Sequence, residues 1–337
     1  MRRTLLAVLS SVLAVTSSAF AQTPDRFYTF GDSLVDNGNV YAATVHTALP
    51  LPPPGAYCQG RFSNGPVAFE FVWAALQGVP LEPTCPIVPA PDGLRPVLTG
   101  AGPAMNFAFG GASTGLVNPA PGGMNVPGLK GQVALFQAAL GGRAPSPNAL
   151  YAILAGANDY LSLNSYKPSR EEGIVAGVVA NISDAIGHLY LLGARQVIVV
   201  NLPDLGLSPL SVPDPVRRAA LSRLTALHNR TLALALAKLQ TRLPGLRIVP
   251  IDLAAPLQLL PTLGFDVQTP ALDRLLPPPP ALGGLPMSFC IFTDPRACGV
   301  VPSFNAVPPS LFWDAEHPTT QAHYVLAQYI LFRLQAQ

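Results

Sequence analysis

A chain of 337 residues with 49% apolar and only 11% charged residues can bury a large core, which excludes intrinsic disorder. Its formal charge is +2 and falls to 0 if Arg2 and Arg3 are removed with the leader described next. Neither value marks a nucleic-acid or anionic-lipid surface.

Met1 to Ala21 reads as a secretory signal, with Arg2 and Arg3 as its basic start, a short apolar stretch from Leu5 to Val15, and Ala19-Phe20-Ala21 as the cleavage motif. The stretch is too short to span a bilayer, and no cysteine follows the cleavage point to take a lipid. The protein is expected to be secreted, to periplasm or medium, as a single domain over residues 22–337. No barrel-like segment follows His323, so a fused pore is not expected.

From residue 22 onward, strand-like runs alternate with helix-length segments. Strands are expected at Arg26–Phe30, Asn106–Phe109, Leu150–Leu154, Gln196–Asn201 and Arg247–Ile251. Helices are expected at Pro66–Leu76, Gln132–Leu140, Gly173–Leu192, Pro215–Arg242 and Thr319–Leu334. The alternation predicts βαβ units and a mainly parallel sheet of about five strands. Gln196-Val197-Ile198-Val199-Val200 lacks polar alternation, as a strand covered on both faces does. Leu49–Gly65, Pro80–Gly102 and Gly264–Phe312 are Pro- and Gly-rich and read as long loop insertions, a length usually tied to function.

Four cysteines remain, Cys58, Cys85, Cys290 and Cys298. Export permits disulfides, and four cysteines allow three pairings. Both sequence-near pairs lie in loop-like segments, which favours Cys58–Cys85 and Cys290–Cys298. No CxxC motif or histidine pair supports metal ligation instead.

The chemistry concentrates at strand ends. Arg26–Phe30 delivers Gly31-Asp32-Ser33-Leu34 into a polar turn. Asn106–Phe109 runs into Gly110-Gly111-Ala112. Leu150–Leu154 runs into Gly156-Ala157-Asn158-Asp159. Asp314-Ala315-Glu316-His317 precedes the last helix. A serine hydroxyl needs a base, the base needs an orienting carboxylate, and the developing oxyanion needs donors. In open parallel sheets the carboxyl ends of the strands border one crevice, so these segments are expected to converge.

These motifs resemble those of the GDSL, or SGNH, hydrolases. Gly31-Asp32-Ser33-Leu34 with its Val35-Asp36-Asn37-Gly38-Asn39 extension matches the first family block, and Asn106-Phe107-Ala108-Phe109-Gly110-Gly111-Ala112 the second. Gly156-Ala157-Asn158-Asp159 matches the third, and Asp314-Ala315-Glu316-His317-Pro318 the fifth. The resemblance runs in family order over nearly the whole mature chain. It implies an α/β, flavodoxin-like three-layer sandwich, with Ser33 as nucleophile, His317 as base and Asp314 as its partner. The oxyanion donors implied are the Ser33 backbone N–H, Gly111 and the Asn158 amide; Gly110 is the neighbouring alternative, because the doubled glycine shifts the alignment by one. Asp32 and Asp159 are expected behind these groups, bracing turns. No metal or organic cofactor is expected.

Taken singly, each residue has a plainer reading. Ser33 alone would read as a helix cap, Asp314 as a loop acid and Asn158 as a turn residue; four blocks in order outweigh these. His188, His228 and His323 read as packed or solvated helix residues, whereas His46 is a candidate crevice residue. Gly111-Ala112-Ser113-Thr114-Gly115 fits a nucleophile elbow, but the Leu116–Gly123 segment that follows is poor helix material. Asn181 and Asn229 begin glycosylation triplets, which are often incidental.

The expected activity is a secreted serine esterase or lipase acting on small-molecule or lipid carboxylic esters. Alternatives are a carbohydrate O-deacetylase or lipid acyltransferase on the same site, and, in another class, a non-catalytic adhesin or binding module. The Leu282–Ile291 segment is read either as an acyl pocket or lid, or as a cover for the core.

Overall fold

The computed structural model describes residues 23–88, 90, 92–119, 124–163 and 165–336. The signal segment lies outside them. Strand β1 (Arg26–Gly31) is followed by β2 (Arg95–Pro96), β3 (Ala104–Asn106), a small antiparallel hairpin β4 (Val117–Pro119) and β5 (Asn125–Pro127), then β6 (Ala149–Leu154), β7 (Gln196–Val200) and β8 (Arg247–Ile251). Six of these form one sheet in the order β2-β3-β1-β6-β7-β8, and every pairing in it is parallel.

The sheet thus has one strand more than expected. The extra one is two residues long, lies at the edge and contains Pro96, a position where a missing N–H costs nothing. The second expected strand also shifts: regular pairing covers Ala104–Asn106, while Phe107 and Phe109 beyond it still donate to the Thr29 and Gly31 carbonyls at 2.7 and 3.2 Å.

The helices are α1 (Asn39–Thr44), α2 (Ala68–Leu76), α3 (Leu129–Leu140), α4 (Ala157–Leu161), α5 (Pro168–Leu192), α6 (Pro215–Arg242), α7 (Ala254–Leu259), α8 (Ala271–Leu275), α9 (Cys290–Thr293) and α10 (Thr320–Gln335). Local chemistry sets several boundaries. Pro168 starts α5, where its absent N–H would be unpaired anyway. Asp214 accepts the Val216 and Arg217 N–H groups at the start of α6, both at 3.0 Å. Gly193 closes α5 in a left-handed conformation.

Side chains alternate across each strand and are apolar on both faces. Tyr28, Phe30, Tyr151, Ile153, Val197 and Val199 pack with α3, α5 and α6. Phe27, Leu150, Ala152, Leu154, Ile198 and Val200 pack with α2 and α10 on the other face. The result is the three-layer α/β sandwich. Helix α5 is long and apolar enough to cross a bilayer, yet it buries Val175, Val178, Ile182, Ile186 and Leu189 in this core.

The strand order β3-β1-β6-β7-β8 reverses direction of travel between β1 and β6, the switch point where ligands collect in such sheets. Above it the loop insertions build a third apolar cluster that includes Tyr57, Phe62, Phe109, Leu282, Met287, Ile291 and Trp313. Cys58–Cys85 and Cys290–Cys298 are both disulfide-bonded, as expected. A buried bidentate pair, Arg61 on Glu70 at 2.7 and 2.6 Å, ties the 49–65 loop to α2.

Candidate active site

The exit from β1 is fixed by Gly31. Its φ is +152°, and a Cβ there would overlap the Leu154 carbonyl oxygen. The side chain of Gln132, fully buried, accepts from the Gly31 N–H and donates to the Gly31 carbonyl, both at 2.8 Å. In the turn beyond, the Asp32 carbonyl receives the Val35 and Asp36 N–H groups at 3.1 and 2.9 Å, and the Asp32 carboxyl receives the Leu34 N–H at 3.1 Å. Ser33 is left at the end of the sheet, 7% exposed.

The turn's carboxylate and amide side chains join the first strand's turn to the next. Asp36, fully buried, accepts from Gly38, Asn39 and Val40 N–H groups and, across the sheet edge, from Gly110 N–H at 2.9 Å. Asn39 donates to the Asn106 and Ala108 carbonyls at 2.9 and 2.8 Å. Asn106 donates to the Val35 carbonyl and the Asn37 side chain at 2.6 and 2.8 Å.

His317 arrives from the opposite end of the chain. Its Nε2 lies 2.8 Å from Ser33 Oγ, and its Nδ1 lies 2.7 Å from Asp314 Oδ2. Asp314 is fully buried and fully bonded: Oδ1 accepts the Glu316 and His317 N–H groups at 2.8 and 2.7 Å, and Oδ2 also accepts the Tyr57 hydroxyl at 2.6 Å. Phe62 and Phe292 hold the imidazole ring from its sides, Phe292 stacked within 10° of parallel. Burial alone pushes the His317 imidazole down. The Asp314 carboxylate against Nδ1, with Glu316 and Asp32 nearby, overcomes that and holds it above the ordinary histidine range. Burial pushes the Asp32 carboxyl up to about 7, against the pull of the Leu34 N–H.

The two adjacent glycines differ in their hydrogen bonding. The Gly110 N–H is taken by Asp36, whereas neither the Gly111 nor the Ser33 N–H donates to another described residue. Gly111 has φ +79°, outside the range most side chains adopt. Asn158 spends one amide hydrogen on the Ala112 carbonyl at 3.0 Å, which leaves the other. Asp159 accepts the Thr114 N–H and hydroxyl at 2.9 and 2.8 Å and so braces that turn. Ser33, Gly111, Asn158 and His317 all face one cavity of about 930 Å³, walled by Phe62, Leu285, Ile291 and Phe292 among others. Within the 282–291 segment, Leu285, Phe289 and Ile291 line the cavity, while Leu282, Met287 and Cys290 pack in the third core.

Other residues fall outside this arrangement. The Ser113 hydroxyl donates to Asn118 at 3.1 Å and is followed by the β4–β5 hairpin, not a helix. His228 is buried on the Tyr160 hydroxyl at 2.8 Å, and burial pulls its pKa down to about 4. His188 and His46 are exposed, and His46 is absent from the cavity lining. Asn181 bonds Thr114 and Asn229 bonds Leu202, both from helix interiors.

The model of the GDSL-like lipase/acylhydrolase family matches residues 27–330. The chain belongs to this family. It is a carboxylic ester hydrolase. Among relatives, a phosphatidylcholine-sterol acyltransferase of Aeromonas hydrophila is 28% identical over 95% of this chain and 93% of its own length. A GDSL lipase of Tanacetum cinerariifolium is 30% identical over 73% and 70%. Among solved structures, a lipolytic G-D-S-L family protein of Veillonella parvula aligns at TM-score 0.44 and 13% identity, over 91% of this chain and 96% of its own.

Tyr57, Phe62, Phe292 and Gln132 were given no role by the sequence, and Asp36 was read only as part of the first motif. Asp36 had a signal, since an aspartate two residues before a glycine is a turn-forming pattern. Tyr57 and Phe62 had none, because they sit in Pro- and Gly-rich sequence without periodicity.

Proposed function

We propose that this family member hydrolyses carboxylic esters through an acyl group carried on Ser33. The observation that carries the reading is the continuous chain of contacts Ser33–His317–Asp314, at 2.8 and 2.7 Å, on the floor of a largely apolar cavity. Ser33 Oγ attacks the ester carbonyl carbon while its proton passes to His317 Nε2. The oxyanion that forms is met by the Ser33 and Gly111 N–H groups and the free Asn158 amide hydrogen. His317 returns the proton to the departing alkoxide; water, deprotonated in turn by His317, then attacks the acyl carbon, the bond to Ser33 Oγ breaks, and His317 gives the proton back to Oγ as the acid leaves. Asp314 fixes the ring so that Nδ1 keeps its hydrogen, and Tyr57 and two backbone N–H groups fix Asp314.

The mature chain from residue 22 acts as one catalytic domain, exported from the cytoplasm. The basic, apolar and small-residue leader supports export, as do two disulfides, which persist in oxidising compartments. The acyltransferase named among the relatives favours a second reading at the same site, in which an alcohol replaces water as acyl acceptor. Hydrolysis of p-nitrophenyl esters from acetate to palmitate is the test. Wild type should turn over part of the series and Ser33→Ala none of it; undiminished turnover by Ser33→Ala would end the proposal. Adding an alcohol would produce a new ester if the second reading holds.

A further inference from the structure

Beside the cavity that holds Ser33 lies another, of about 760 Å³, that the reaction above does not use. Its volume is that of a small-molecule site. Its walls are mainly alkyl, including Leu205, Leu253, Leu260, Leu311 and Leu326. Two buried polar side chains lie among them: Ser208, whose hydroxyl donates to the Leu205 carbonyl, and His323, 2% exposed, with neither ring nitrogen partnered by a described residue. Of the charged side chains lining it, Asp204 and Arg218 stay on exposed positions of its rim, whereas Glu316 is half-buried.

Two features join this cavity to the candidate active site. Glu316, one residue before His317, lines both, and Leu34, one residue after Ser33, lines the second. The segment from Asp204 to Asp214 divides them: Leu207 and Val212 line the second cavity, Leu210 and Pro213 the first. This partition is rigid, since Leu210 donates to the Ala315 carbonyl at 2.8 Å and the Ser208 and Ser211 hydroxyls hold the Leu205 carbonyl at 2.9 and 3.0 Å. Leu207 and Val212 on it are 58% and 54% exposed, an apolar crest between two apolar hollows.

We propose that the second cavity is a subsite for the other hydrocarbon chain of a two-chain ester, whose scissile acyl group lies against Ser33. The inference rests on the ester-hydrolase reading of the site. Walls that are alkyl apart from the buried His323 and Ser208, the Glu316 carboxyl on the shared side and an exposed polar rim favour methylene groups, each gaining on leaving water. Two adjoining hollows that share a wall beside the nucleophile suit a molecule that branches close to its scissile bond. The apolar crest keeps a chain that crosses it out of contact with polar groups.

The test compares dihexanoyl and monohexanoyl glycerol, both as monomers in solution, with wild type, Ala254→Trp and Val212→Asp. Ala254 is an exposed wall residue whose replacement puts a ring into the second cavity, and Val212→Asp puts a charge on its edge. Wild type should favour the two-chain ester at least tenfold in kcat/KM. Each variant should lose that preference while monohexanoyl hydrolysis, which also reports folding, stays within twofold. An absent preference in wild type, a preference that survives both variants, or equal losses on both esters would overturn the inference. Inhibition of wild type by free decanoate that Ala254→Trp abolishes, without any two-chain preference, would assign the cavity to a separate amphiphile and also overturn it. Failure of the underlying reading looks different: Ser33→Ala would still cleave the monohexanoyl ester.

Discussion

Replacing Asp314 by Asn changes one oxygen of a fully bonded carboxylate, and the geometry dictates which one. Oδ1 accepts two backbone N–H groups at 2.8 and 2.7 Å, so the amide nitrogen cannot lie there without setting donors against donors. It must take the Oδ2 position, 2.7 Å from His317 Nδ1. An N–H pointing at Nδ1 requires that nitrogen to be bare, which moves the ring hydrogen to Nε2, toward Ser33. The lone pair that would accept the Ser33 proton is then occupied, and the charge that stabilises the imidazolium is gone. A tautomer reversal of this kind in a serine triad lowers kcat by about 10⁴, or roughly 5.5 kcal/mol at 1.36 kcal/mol per tenfold. The backbone bonds to Oδ1 survive, so the fold should too. The assay is kcat on p-nitrophenyl butyrate near pH 8, with thermal melting as the control. Tyr57→Phe is the comparison: it removes one hydrogen bond to Oδ2 but keeps the tautomer, and should cost about tenfold or less. An Asp314→Asn enzyme that keeps more than a tenth of wild-type kcat, or that matches Tyr57→Phe, would refute this reasoning.

Three further outcomes follow from the same geometry. The pH profile of kcat/KM should lose activity on the acidic side through a pKa above 6.5, because protonated His317 cannot accept from Ser33, and Glu316→Gln should move that limb downward by removing a nearby carboxylate. Asp32 has its pKa raised to about 7 by burial. Its contribution is therefore complete below about pH 4, where folded and unfolded chains are both protonated, and is lost as pH rises through 7. Asp32→Asn, which keeps an oxygen for the Leu34 N–H, should melt higher than wild type at pH 8 by an amount corresponding to as much as roughly 4 kcal/mol, with the gap closing at pH 4; a gap independent of pH would contradict the burial argument. Gly31→Ala should destabilise by more than about 4 kcal/mol, since its Cβ overlaps backbone in a conformation side chains avoid; a melting point within a few degrees of wild type would show that β1 and β6 can part there.

The layers of the fold were legible from the alternation of apolar strand-length runs with helix-length segments. β6 and β7 have nearly unbroken apolar runs. The short edge strand was not legible, because two residues have no period. Ser33, Gly111 and Asn158 were candidates from local patterns at strand ends, Asp314 and His317 from the segment before the last helix, and the expected crevice follows from parallel topology. The difference between the Gly110 and Gly111 N–H groups was not legible, since it depends on Asp36 reaching across to Gly110 from 74 positions away. The surroundings of the imidazole were hidden for a similar reason. Tyr57, Phe62 and Phe292 come from insertions whose conformation is set by disulfides, an ion pair and a shared apolar cluster, and tertiary contacts of that kind leave no spacing to read.

The proposed hydrolysis turns on one oxygen atom, Ser33 Oγ. Exposure of the wild-type protein to a fluorophosphonate, followed by intact-mass and peptide mapping, should find one adduct per chain, on Ser33, formed far more slowly in His317→Ala and absent from Ser33→Ala. Label on Ser113 instead, or full ester hydrolysis by protein that takes no label at all, would contradict it.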